Sequence, residues 1–431
     1  ELIKFDTVIT ARRFLERVDV LELGNLEEML LILEDYKSKL NIGDKLLGFF
    51  LSFFKTPFLK KQFSLDTIDP NESAVILFTS GTENYPKAVP LSHRNILTNL
   101  KAAIESVEVK GDDILYGVLP PFHSFGFSVT GLMPILIGIR VFYSPDPTDS
   151  HKIGRDIEER KITFICFAPS FFRSLFRVAT PKQLESIRLF VSGSEAAPPE
   201  LSEFVKKLDG GKRFIEGYGI TECSPIVTLC RPDRPIKGVG IPLPGVEICI
   251  IHPETDEKIE KGTQGEICIH GESVFQGYLG GEVPNPFIEI DGKKWYKSGD
   301  LGKIDEEGNL FLEGRIKRFV KIGGEMVSLA SVEGEIGSHA IKKGWIDSDE
   351  EKPQLAIGVF SLQGDRPMLA LVTTFPLEKE DANEILREVG FGRIVKIAKT
   401  IKVKQIPVTA TGKVHYREIN NMVLNTNERR N

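Results

Sequence analysis

A run of small hydroxyl residues that ends in lysine is the strongest chemical signal in the sequence. It reads Thr79-Ser-Gly-Thr-Glu-Asn-Tyr-Pro-Lys87, and its candidate phosphate-binding residues are Thr79, Ser80, Gly81, Thr82 and Lys87. Small residues let backbone amides and hydroxyls approach phosphate oxygens, and the lysine adds positive charge. Pro86 precedes the lysine where a Walker A loop has glycine, so this is a different loop. Taken alone, the run is equally consistent with an ordinary surface loop.

Three β-type runs each lead into a loop of polar or small residues. They are Ala74–Phe78, Ile187–Val191 and Arg213–Ile215. In open α/β sheets, ligands bind where loops leave the carboxyl ends of strands. The three loops therefore predict one composite site.

Four further motifs follow in chain order. They are Glu216-Gly-Tyr-Gly-Ile-Thr-Glu222, Tyr296-Lys-Ser-Gly-Asp300, Gly314-Arg-Ile-Lys317 and Thr411-Gly-Lys413. Together with the loop at 79–87, they resemble the adenylate-forming superfamily, which includes acyl-CoA synthetases, luciferases and the adenylation domains of peptide synthetases. Five ordered matches are specific, whereas a lone Tyr-Gly-x-Thr-Glu would carry little weight.

The resemblance implies ATP and Mg²⁺ as cofactors and a carboxylate that attacks the α-phosphorus of ATP. It assigns Tyr218 to adenine, Thr221 to the α-phosphate and Glu222 to Mg²⁺, a hard cation that prefers carboxylate oxygen. It assigns Asp300 to the ribose hydroxyls, with Arg315 reinforcing that contact.

A second loop is implied to lie along adenine. It reads Ser192-Gly-Ser-Glu-Ala-Ala197, and its nucleotide-binding residues are Gly193, Ser194 and Glu195.

Two lysines near the end of the chain have roles implied by the resemblance. Lys413 would reach into the cleft and contact both the carboxylate and the phosphate, which makes it the main catalytic candidate beside Thr221 and Glu222. The alternative is a solvated lysine in a basic tail. Lys317 falls at the family's hinge, where one junction residue absorbs the rotation of the small domain.

The acyl site is predicted from Leu119-Pro-Pro-Phe-His-Ser-Phe-Gly-Phe127, which matches the motif at the carboxylate end of the family's substrate pocket. Its candidate residues are Phe122, His123 and Phe127. The chain contains 28 Phe against 8 Tyr, and a Phe-rich wall suits a long alkyl chain. Ordinary core packing explains most of those rings equally well.

The sequence that follows Arg315 indicates which subgroup of the adenylate-forming superfamily the chain resembles. Its strings Lys-Arg-Phe and Gly-Glu-Met-Val-Ser-Leu resemble fatty-acid:acyl carrier protein ligases, including the synthetase half of bacterial bifunctional 2-acylglycerophosphoethanolamine acyltransferase/acyl-ACP synthetases. The implied activity is activation of a medium- or long-chain fatty acid and transfer to the phosphopantetheine thiol of acyl carrier protein. CoA as the acceptor is one alternative, and a truncated, non-catalytic binding fragment is another. Thr82-Glu-Asn84 departs from the family's usual Thr-Thr-Gly, which weakens the prediction for pyrophosphate contacts.

Charge is distributed unevenly along the chain. The whole sequence carries a net charge of −6, but the part from Arg315 onward has 19 basic and 15 acidic residues. Residues 390–417 include seven basic residues and no acidic one. Carrier proteins are acidic, so this basic segment favours such a partner; a solvated basic face is the alternative. The mild overall acidity argues against nucleic acid as a partner.

The elements that position these motifs indicate an α/β protein in three parts. We predict a large N-terminal domain of α/β layers over 1–237 without the family's first segment, a small β-rich subdomain over 238–314, and a mobile α+β C-terminal domain over 315–431. Specific predictions include a helix over Leu26–Leu40, a helix starting at Ser92, and strands at Val246–Ile251 and Leu355–Phe360. Five scattered cysteines indicate reduced thiols in a cytoplasmic protein.

Two other motifs have competing interpretations. The run Leu46–Phe54, with lysines on both sides, predicts either peripheral contact with the inner face of a membrane or a buried helix end. The His151-x4-Asp156 spacing matches glycerolipid acyltransferases, but coincidence is the favoured interpretation because the surrounding sequence fits the adenylating fold.

Overall fold

The computed structural model describes residues 5–17, 24–79, 87–194, 197–208, 211–232, 234–280, 284–322, 325–347, 352–361, 367–392, 394–408 and 414–428. In that part of the chain there are two compact units, one within Glu1–Glu72 and Leu279–Gly281 and the other within Ser73–Tyr278 and Glu282–Asn431. The predicted boundaries at residues 237 and 314 both fall in the second unit and stay predictions.

The strands are short, as expected for a layered α/β protein. In chain order they are β1 Val8–Thr10, β2 Leu30–Ile32, β3 Ser73–Thr79, β4 Lys87–Ser92, β5 Ile114–Gly117, β6 Arg140–Tyr143, β7 Phe164–Phe167, β8 Leu189–Ser192, β9 Arg213–Gly219, β10 Ile226–Leu229, β11 Ile241–Pro242, β12 Val246–Ile251, β13 Gly265–Gly271, β14 Phe287–Ile290, β15 Lys293–Ile304, β16 Leu310–Arg315, β17 Phe319–Ile322, β18 Glu325–Ser328, β19 Leu355–Phe360, β20 Met368–Thr373 and β21 Ile397–Lys402.

The helices alternate with these strands through the middle of the chain. They are α1 Arg12–Arg17, α2 Leu33–Lys39, α3 Ile42–Leu51, α4 Thr56–Gln62, α5 His93–Val107, α6 Met133–Ile137, α7 Ser150–Arg160, α8 Pro169–Val178, α9 Pro199–Lys207, α10 Leu329–Lys342, α11 Lys379–Glu388 and α12 Tyr416–Glu428. None of the helices in the described residues is long and apolar enough to cross a membrane.

The predicted helix over Leu26–Leu40 is wrong in its first half. The structure has a 3₁₀ turn at Gly24–Met29, strand β2, and only then helix α2. Strand β2 pairs in parallel with β1, so that Leu30 lies opposite Val8. A short leucine run fits a helix or a strand by its spacing, and pairing with a distant segment decided between them.

A seven-stranded sheet forms the centre of the second unit. Its order is β11-β10-β9-β8-β7-β5-β6, and the pairs from β6 to β9 are parallel. Strands β7 and β8 are buried at every position, because helices cover both faces of such a sheet. The parallel part matches the α/β layers predicted from the alternation of strands and helices.

The predicted β-rich part forms a separate five-stranded sheet. Strands β12, β13, β15 and β14 pair in that order, and β16 pairs with β15. The β15–β16 register places Asp300 opposite Arg315, and it contains an irregularity between Leu301 and Gly302. This register matters because both residues of the pair are predicted site residues.

The last segment is α+β, as predicted. Strands β19, β20 and β21 form one sheet, with a hydrophobic cluster on each face. One cluster includes Ile336 and Leu371, and the other includes Ala370 and Val423. Helices therefore cover both faces of this sheet.

Candidate active site

The predicted site residues of the parallel sheet lie at one edge of it. Strands β5, β8 and β9 end at Gly117, Ser192 and Gly219. The predicted motifs follow directly, at 119–127, 193–194 and 221–222. Because the carboxyl ends of parallel strands share an edge, three distant parts of the chain meet there. The other predicted run, Ala74–Phe78, is not part of this sheet, because it lies in β3, which pairs with β4 in a separate two-stranded sheet.

Tyr218, Asp300 and Arg315 form one hydrogen-bonded group. The Tyr218 hydroxyl donates to Asp300 Oδ2 at 2.6 Å, and Arg315 Nε lies 3.0 Å from Asp300 Oδ1. Asp300 is buried, while Arg315 keeps 56% of its side chain exposed. A buried carboxylate is thus held by one neutral donor and one cation, which is how buried charges are stabilised.

Electrostatics within this group follow from burial and proximity. Burial raises the pKa of the Tyr218 phenol well above its ordinary value, and the Asp300 charge acts in the same direction. The Asp300 carboxylate also raises the pKa of the Arg315 guanidinium. Tyr218 therefore stays a neutral donor, and Arg315 stays charged.

Glycine on the C-terminal side of Tyr218 is required by close packing against strand β10. A Cβ on Gly219 would lie 2.5 Å from the carbonyl oxygen of Pro225. The Gly-Tyr-Gly part of the motif is thus explained by strand packing as well as by the position of the tyrosine.

Glu222 belongs to a second group, which includes a tyrosine that sequence analysis missed. Tyr278 donates its hydroxyl hydrogen to Glu222 Oε1 at 2.7 Å, and its oxygen lies 3.1 Å from the hydroxyl oxygen of Tyr296. Lys87 Nζ lies 4.7 Å from the centroid of the Tyr278 ring. Lys87 and Glu222 are therefore brought to the same aromatic side chain.

The donor set at Glu222 fits Mg²⁺ in the way that nucleotide-dependent enzymes hold it. Mg²⁺ usually keeps several waters and binds one or two carboxylates together with substrate phosphates. Glu222 is a buried carboxylate, and no cluster of three or more metal-ligating side chains occurs in the described ranges. Glu222 would supply the protein's oxygen ligand, and phosphate would complete the site.

Thr221 lies next to a serine that the sequence did not single out. Ser124 Oγ is 3.1 Å from Thr221 Oγ1. Ser124 follows His123 in the loop after β5, so this contact connects the predicted acyl motif to the predicted phosphate residue. A separation of 97 residues along the chain gave no local signal for the pair.

The loop after β8 turns sharply beside Tyr218. Ser194 adopts a φ of 75°, an uncommon conformation for a residue other than glycine. The backbone N–H of Ala197 donates to Glu216 Oε1 at 2.8 Å, and burial raises the pKa of that carboxyl group. Glu216 thus fixes the far end of a loop whose predicted role is to contact adenine.

A cavity of about 70 Å³ opens beside these loops. Its lining includes the polar residues His123, Ser124 and Tyr218 and apolar residues of helix α5. The lining residues from α5 are Leu100, Ala103, Ile104 and Val107. Sequence analysis missed them because residues spaced along an amphipathic helix face are typical of any core.

Helix α5 is anchored by two asparagines. Asn99 exchanges hydrogen bonds with both backbone groups of Ile226, at 2.6 and 3.1 Å. Asn95 takes part in the capping box with Ser92, where the sequence predicts the helix to start. Asn95 also donates to the carbonyl oxygens of Glu272 and Val274, at 2.6 and 3.1 Å, so both asparagines attach α5 to distant parts of the chain.

The three predicted acyl-pocket residues have different surroundings in the structure. His123 lines the cavity, whereas Phe122 and Phe127 do not. Phe122 is 69% exposed, and Phe127 packs against the main hydrophobic core. Contact of these two phenylalanines with an acyl chain stays a prediction.

Several predicted residues lie outside the described part of the chain. Thr79 and Lys87 face each other across β3 and β4, but the positions between them fall in an undescribed range. The predicted residues that are not described are Ser80, Gly81, Thr82, Glu195 and Lys413. Lys317 lies in the 3₁₀ turn Ile316–Arg318, and its side chain is not described.

Lysines of the basic segment 390–417 differ in their surroundings. Lys399 Nζ donates to the carbonyl of Val423 at 2.6 Å and lies over the Phe360 ring. Lys396, Lys402 and Lys404 are exposed. Lys399 therefore attaches strand β21 to helix α12, and the exposed three remain as the docking candidates.

The His151-x4-Asp156 spacing falls within helix α7. Asp156 Oδ2 accepts hydrogen bonds from Tyr116 at 2.9 Å and from Lys152 at 2.7 Å. Residues five apart on a helix do not share a face. These contacts give Asp156 a structural role, in agreement with the interpretation of the spacing as coincidental.

Comparison with known proteins gives matches in both sequence and structure. A family model described as "AMP-binding enzyme" matches residues 16–279. The chain is 34% identical over 290 residues to probable 4-coumarate–CoA ligase 1 of Dictyostelium discoideum, covering 65% of this chain and 52% of that protein. It is 30% identical over 369 residues to long-chain-fatty-acid–CoA ligase of Bacillus subtilis (strain 168), covering 83% and 63%. The chain thus spans between half and two-thirds of these relatives.

Solved structures match the same architecture. ATP-bound MatB from Rhodopseudomonas palustris matches with a TM-score of 0.70 and 26% identity, covering 82% of this chain and 69% of that chain. O-succinylbenzoate CoA synthetase (MenE) from Bacillus subtilis, in complex with ATP and magnesium ion, has a TM-score of 0.69 at 24% identity, covering 81% and 70%. The predicted α/β fold class is confirmed by these matches.

Proposed function

The chain belongs to the AMP-binding enzyme family, and from this membership we propose that it activates a fatty acid with ATP and transfers the acyl group to a thiol. AMP-binding enzymes use ATP with Mg²⁺. The observation that carries the proposal is the buried Asp300 carboxylate, which Tyr218 and Arg315 contact at the loop edge of the parallel sheet. A carboxylate fixed in this way is suited to accept hydrogen bonds from a ribose diol.

The proposed reaction has two steps. In the first, an oxygen of the acid attacks the α-phosphorus of ATP, and pyrophosphate leaves to give an acyl-adenylate. In the second, the thiol sulfur attacks the acyl carbonyl carbon, its proton is lost, and AMP leaves. Both steps need groups that hold phosphate and nucleoside in fixed positions.

The described residues can be assigned to these tasks. Thr221 would bind the α-phosphate, and Glu222 would hold the Mg²⁺ that neutralises phosphate charge. Tyr218, placed between the cavity and Asp300, would contact adenine with its ring while its hydroxyl orients the ribose-binding carboxylate. Lys87 and Lys413 would add positive charge, the latter in the adenylation step.

A fatty acid is the proposed substrate because the cavity beside this site is apolar. Helix α5 lines it with aliphatic side chains, and His123 and Ser124 are among its polar lining residues. The proposed position of the acid has its carboxylate near Thr221 and its alkyl chain against α5. The relative from Bacillus subtilis is named for long-chain fatty acids, which supports the same choice.

The thiol acceptor that we propose is the phosphopantetheine of acyl carrier protein, with CoA as the rival. The exposed lysines at 396, 402 and 404 support an acidic protein partner through charge complementarity. The names of the curated relatives support CoA.

One of the sequence strings that favours the carrier protein has a structural explanation. Arg318 of the Lys-Arg-Phe string lies 2.6 Å from Glu333 Oε1, donates to the carbonyl of Ile357, and stacks on Tyr416 at 3.6 Å. Packing within the C-terminal segment is enough to require this arginine. Support for the carrier protein therefore rests more on the exposed lysines than on this string.

A fatty-acid-dependent ATP–pyrophosphate exchange assay tests the first step. Exchange that requires both fatty acid and Mg²⁺ is the expected result, and a chain that binds ATP without exchange would be the non-catalytic fragment. Thiol transfer is then measured with carrier protein and with CoA as separate acceptors. Faster acylation of CoA than of carrier protein would replace the proposed acceptor with its rival.

A further inference from the structure

Helix α3 turns its apolar side toward solvent. Its five exposed apolar residues cover about 160° of the helix surface at 100° per residue. In order around the helix they are Phe49, Ile42, Leu46, Phe50 and Leu47. Asp44 and Lys45 lie in the opposite sector. No residue of α3 is buried, and Ile42 is 76% exposed.

The exposed apolar surface continues beyond α3. Phe53, in the turn that follows, is 71% exposed, and its ring packs edge-on against Phe49 at 4.9 Å. Phe54 stacks on Phe58 of helix α4 at 4.5 Å. The rings contact each other within these two pairs while remaining exposed. Exposed apolar side chains grouped in this way mark an interaction surface.

Positive charge accompanies the apolar patch. Residues 41–63, which we name the amphipathic segment, contain four lysines and one acidic residue. The lysines are Lys45, Lys55, Lys60 and Lys61. The acidic residue, Asp44, accepts a hydrogen bond from the backbone N–H of Asn41 at 2.9 Å in a capping box that starts α3. The amphipathic segment therefore carries a net charge of +3 in the same stretch of chain as its aromatic rings.

We propose that the amphipathic segment docks on a lipid bilayer that contains anionic phospholipid. A helix with a wide apolar face and nearby lysines lies in the plane of the membrane interface, with its apolar side chains among the acyl chains. Lysines near the surface are attracted to anionic headgroups. A second copy of the chain would instead bring lysines against lysines, so a bilayer fits this surface better.

The inference does not depend on the proposed activity, because binding to vesicles can be measured without catalysis. If the proposed activity also holds, docking would bring the protein to the phase in which long-chain fatty acids concentrate.

Vesicle flotation with the 431-residue chain tests the proposal. Probes are vesicles of phosphatidylcholine alone and vesicles with added phosphatidylglycerol. We expect binding to the anionic vesicles, weaker binding to the neutral ones, and a decrease as ionic strength rises, since surface charge is screened by salt. Absence of binding to both kinds of vesicle would overturn the proposal.

Paired substitutions locate the surface. Phe50→Asp with Phe53→Asp should reduce affinity for anionic vesicles by about tenfold or more, because charge replaces the inserted rings. The matched control is Ile135→Asp with Leu136→Asp, a pair of exposed apolar residues in helix α6. Unchanged binding by the phenylalanine variant, or equal loss in the control, would overturn the assignment to this segment.

Charge reversal separates the electrostatic part. Lys60→Glu with Lys61→Glu should abolish the preference for anionic over neutral vesicles, whereas Lys342→Glu with Lys343→Glu, at the end of α10, should retain it. In a Phe50→Trp variant, the emission of the introduced tryptophan should shift to shorter wavelength when the protein binds vesicles. One combined result would show that the surface binds a second copy of the chain: the wild type is a dimer that does not bind vesicles, and the Phe50/Phe53 variant is a monomer. The membrane proposal would then be wrong.

Discussion

Tyr218 and Asp300, which are 82 residues apart in the chain, are joined by a buried hydrogen bond of 2.6 Å. One comes from the parallel sheet and the other from the five-stranded sheet. The bond therefore links the predicted adenine residue to the predicted ribose residue, and it fixes the position of one relative to the other before nucleotide arrives.

The Tyr218→Phe substitution should lower both stability and ATP affinity. It removes a donor from a buried carboxylate, which costs about 1–3 kcal/mol in the free energy of unfolding. Urea denaturation measures the first effect, and the KM for ATP in pyrophosphate exchange measures the second. Tyr36→Phe, at an exposed ring, is the control. An equal free energy of unfolding for the two variants would mean that the Tyr218–Asp300 hydrogen bond contributes little to stability.

The Glu222→Gln substitution should increase the Mg²⁺ concentration needed for activity. Glutamine can still accept a hydrogen bond from Tyr278 but loses the negative charge that attracts the cation. We expect a rise of about tenfold or more in the half-saturating Mg²⁺ concentration during pyrophosphate exchange.

Tyr278→Phe is the matched control for Glu222. It removes the hydrogen bond and keeps the carboxylate, so the Mg²⁺ requirement should stay close to that of wild type. A larger change for Tyr278→Phe than for Glu222→Gln would assign the metal to another residue.

The Ala103→Phe substitution should shift activity toward shorter fatty acids. Ala103 lines the apolar part of the cavity, and a ring there would occupy the space proposed for the alkyl chain. The measurement is pyrophosphate exchange across a series of chain lengths. Leu97→Phe, at an exposed position of the same helix, should leave the dependence of exchange rate on chain length unchanged. A uniform loss at all lengths in Ala103→Phe would indicate damage to packing instead of a change in selectivity.

Charge reversal in the basic segment should have two distinct outcomes. Substituting Lys396, Lys402 and Lys404 by glutamate should raise the KM for carrier protein without affecting adenylation, because these side chains are exposed. Lys399→Glu should instead lower the melting temperature, because Lys399 bonds to the backbone of α12. An unchanged KM in the triple variant would remove carrier-protein docking from the function.

The Lys413→Ala substitution should suppress acyl-adenylate formation while leaving transfer from supplied acyl-adenylate measurable. Loss of one preorganised charge contact costs about 3–4 kcal/mol in the transition state, or about 10²–10³ in rate. Lys404→Ala is the control. Parallel loss of both half-reactions would assign Lys413 a role in structure or in both steps.

Sequence motifs pointed to Tyr218, Asp300 and Arg315, which the structure joins in one hydrogen-bonded group, and their roles in binding nucleotide stay predictions. Asp300 lies within β15 and Arg315 ends β16, and the pairing of these two strands brings them together, while Glu222 follows β9. Tyr278 and Ser124 were not predicted because their contacts depend on how distant parts of the chain meet. Tyr278 lies outside the motifs, and Ser124 lies in the motif at 119–127 but was not among the candidates taken from it.

Residues that act through packing were also hard to predict. Ala103 and Val107 have the spacing of any buried helix face, so nothing in the sequence distinguishes a cavity wall from a core. The hydrogen bond of Lys399 to α12 was equally hidden, since a lysine in a basic run looks solvated until the neighbouring helix is placed.

The irregular pairing between β15 and β16 has a practical consequence for altering the protein. On one side of it, Asp300 lies opposite Arg315, and on the other side the regular ladder runs to the turn at residues 305–309. The extra residue at this point, Glu313, already absorbs a difference in strand length. Insertions into the turn would therefore lengthen the hairpin at its far end and leave the Asp300–Arg315 pair in place, which makes this turn a suitable position for a fluorophore or an affinity tag.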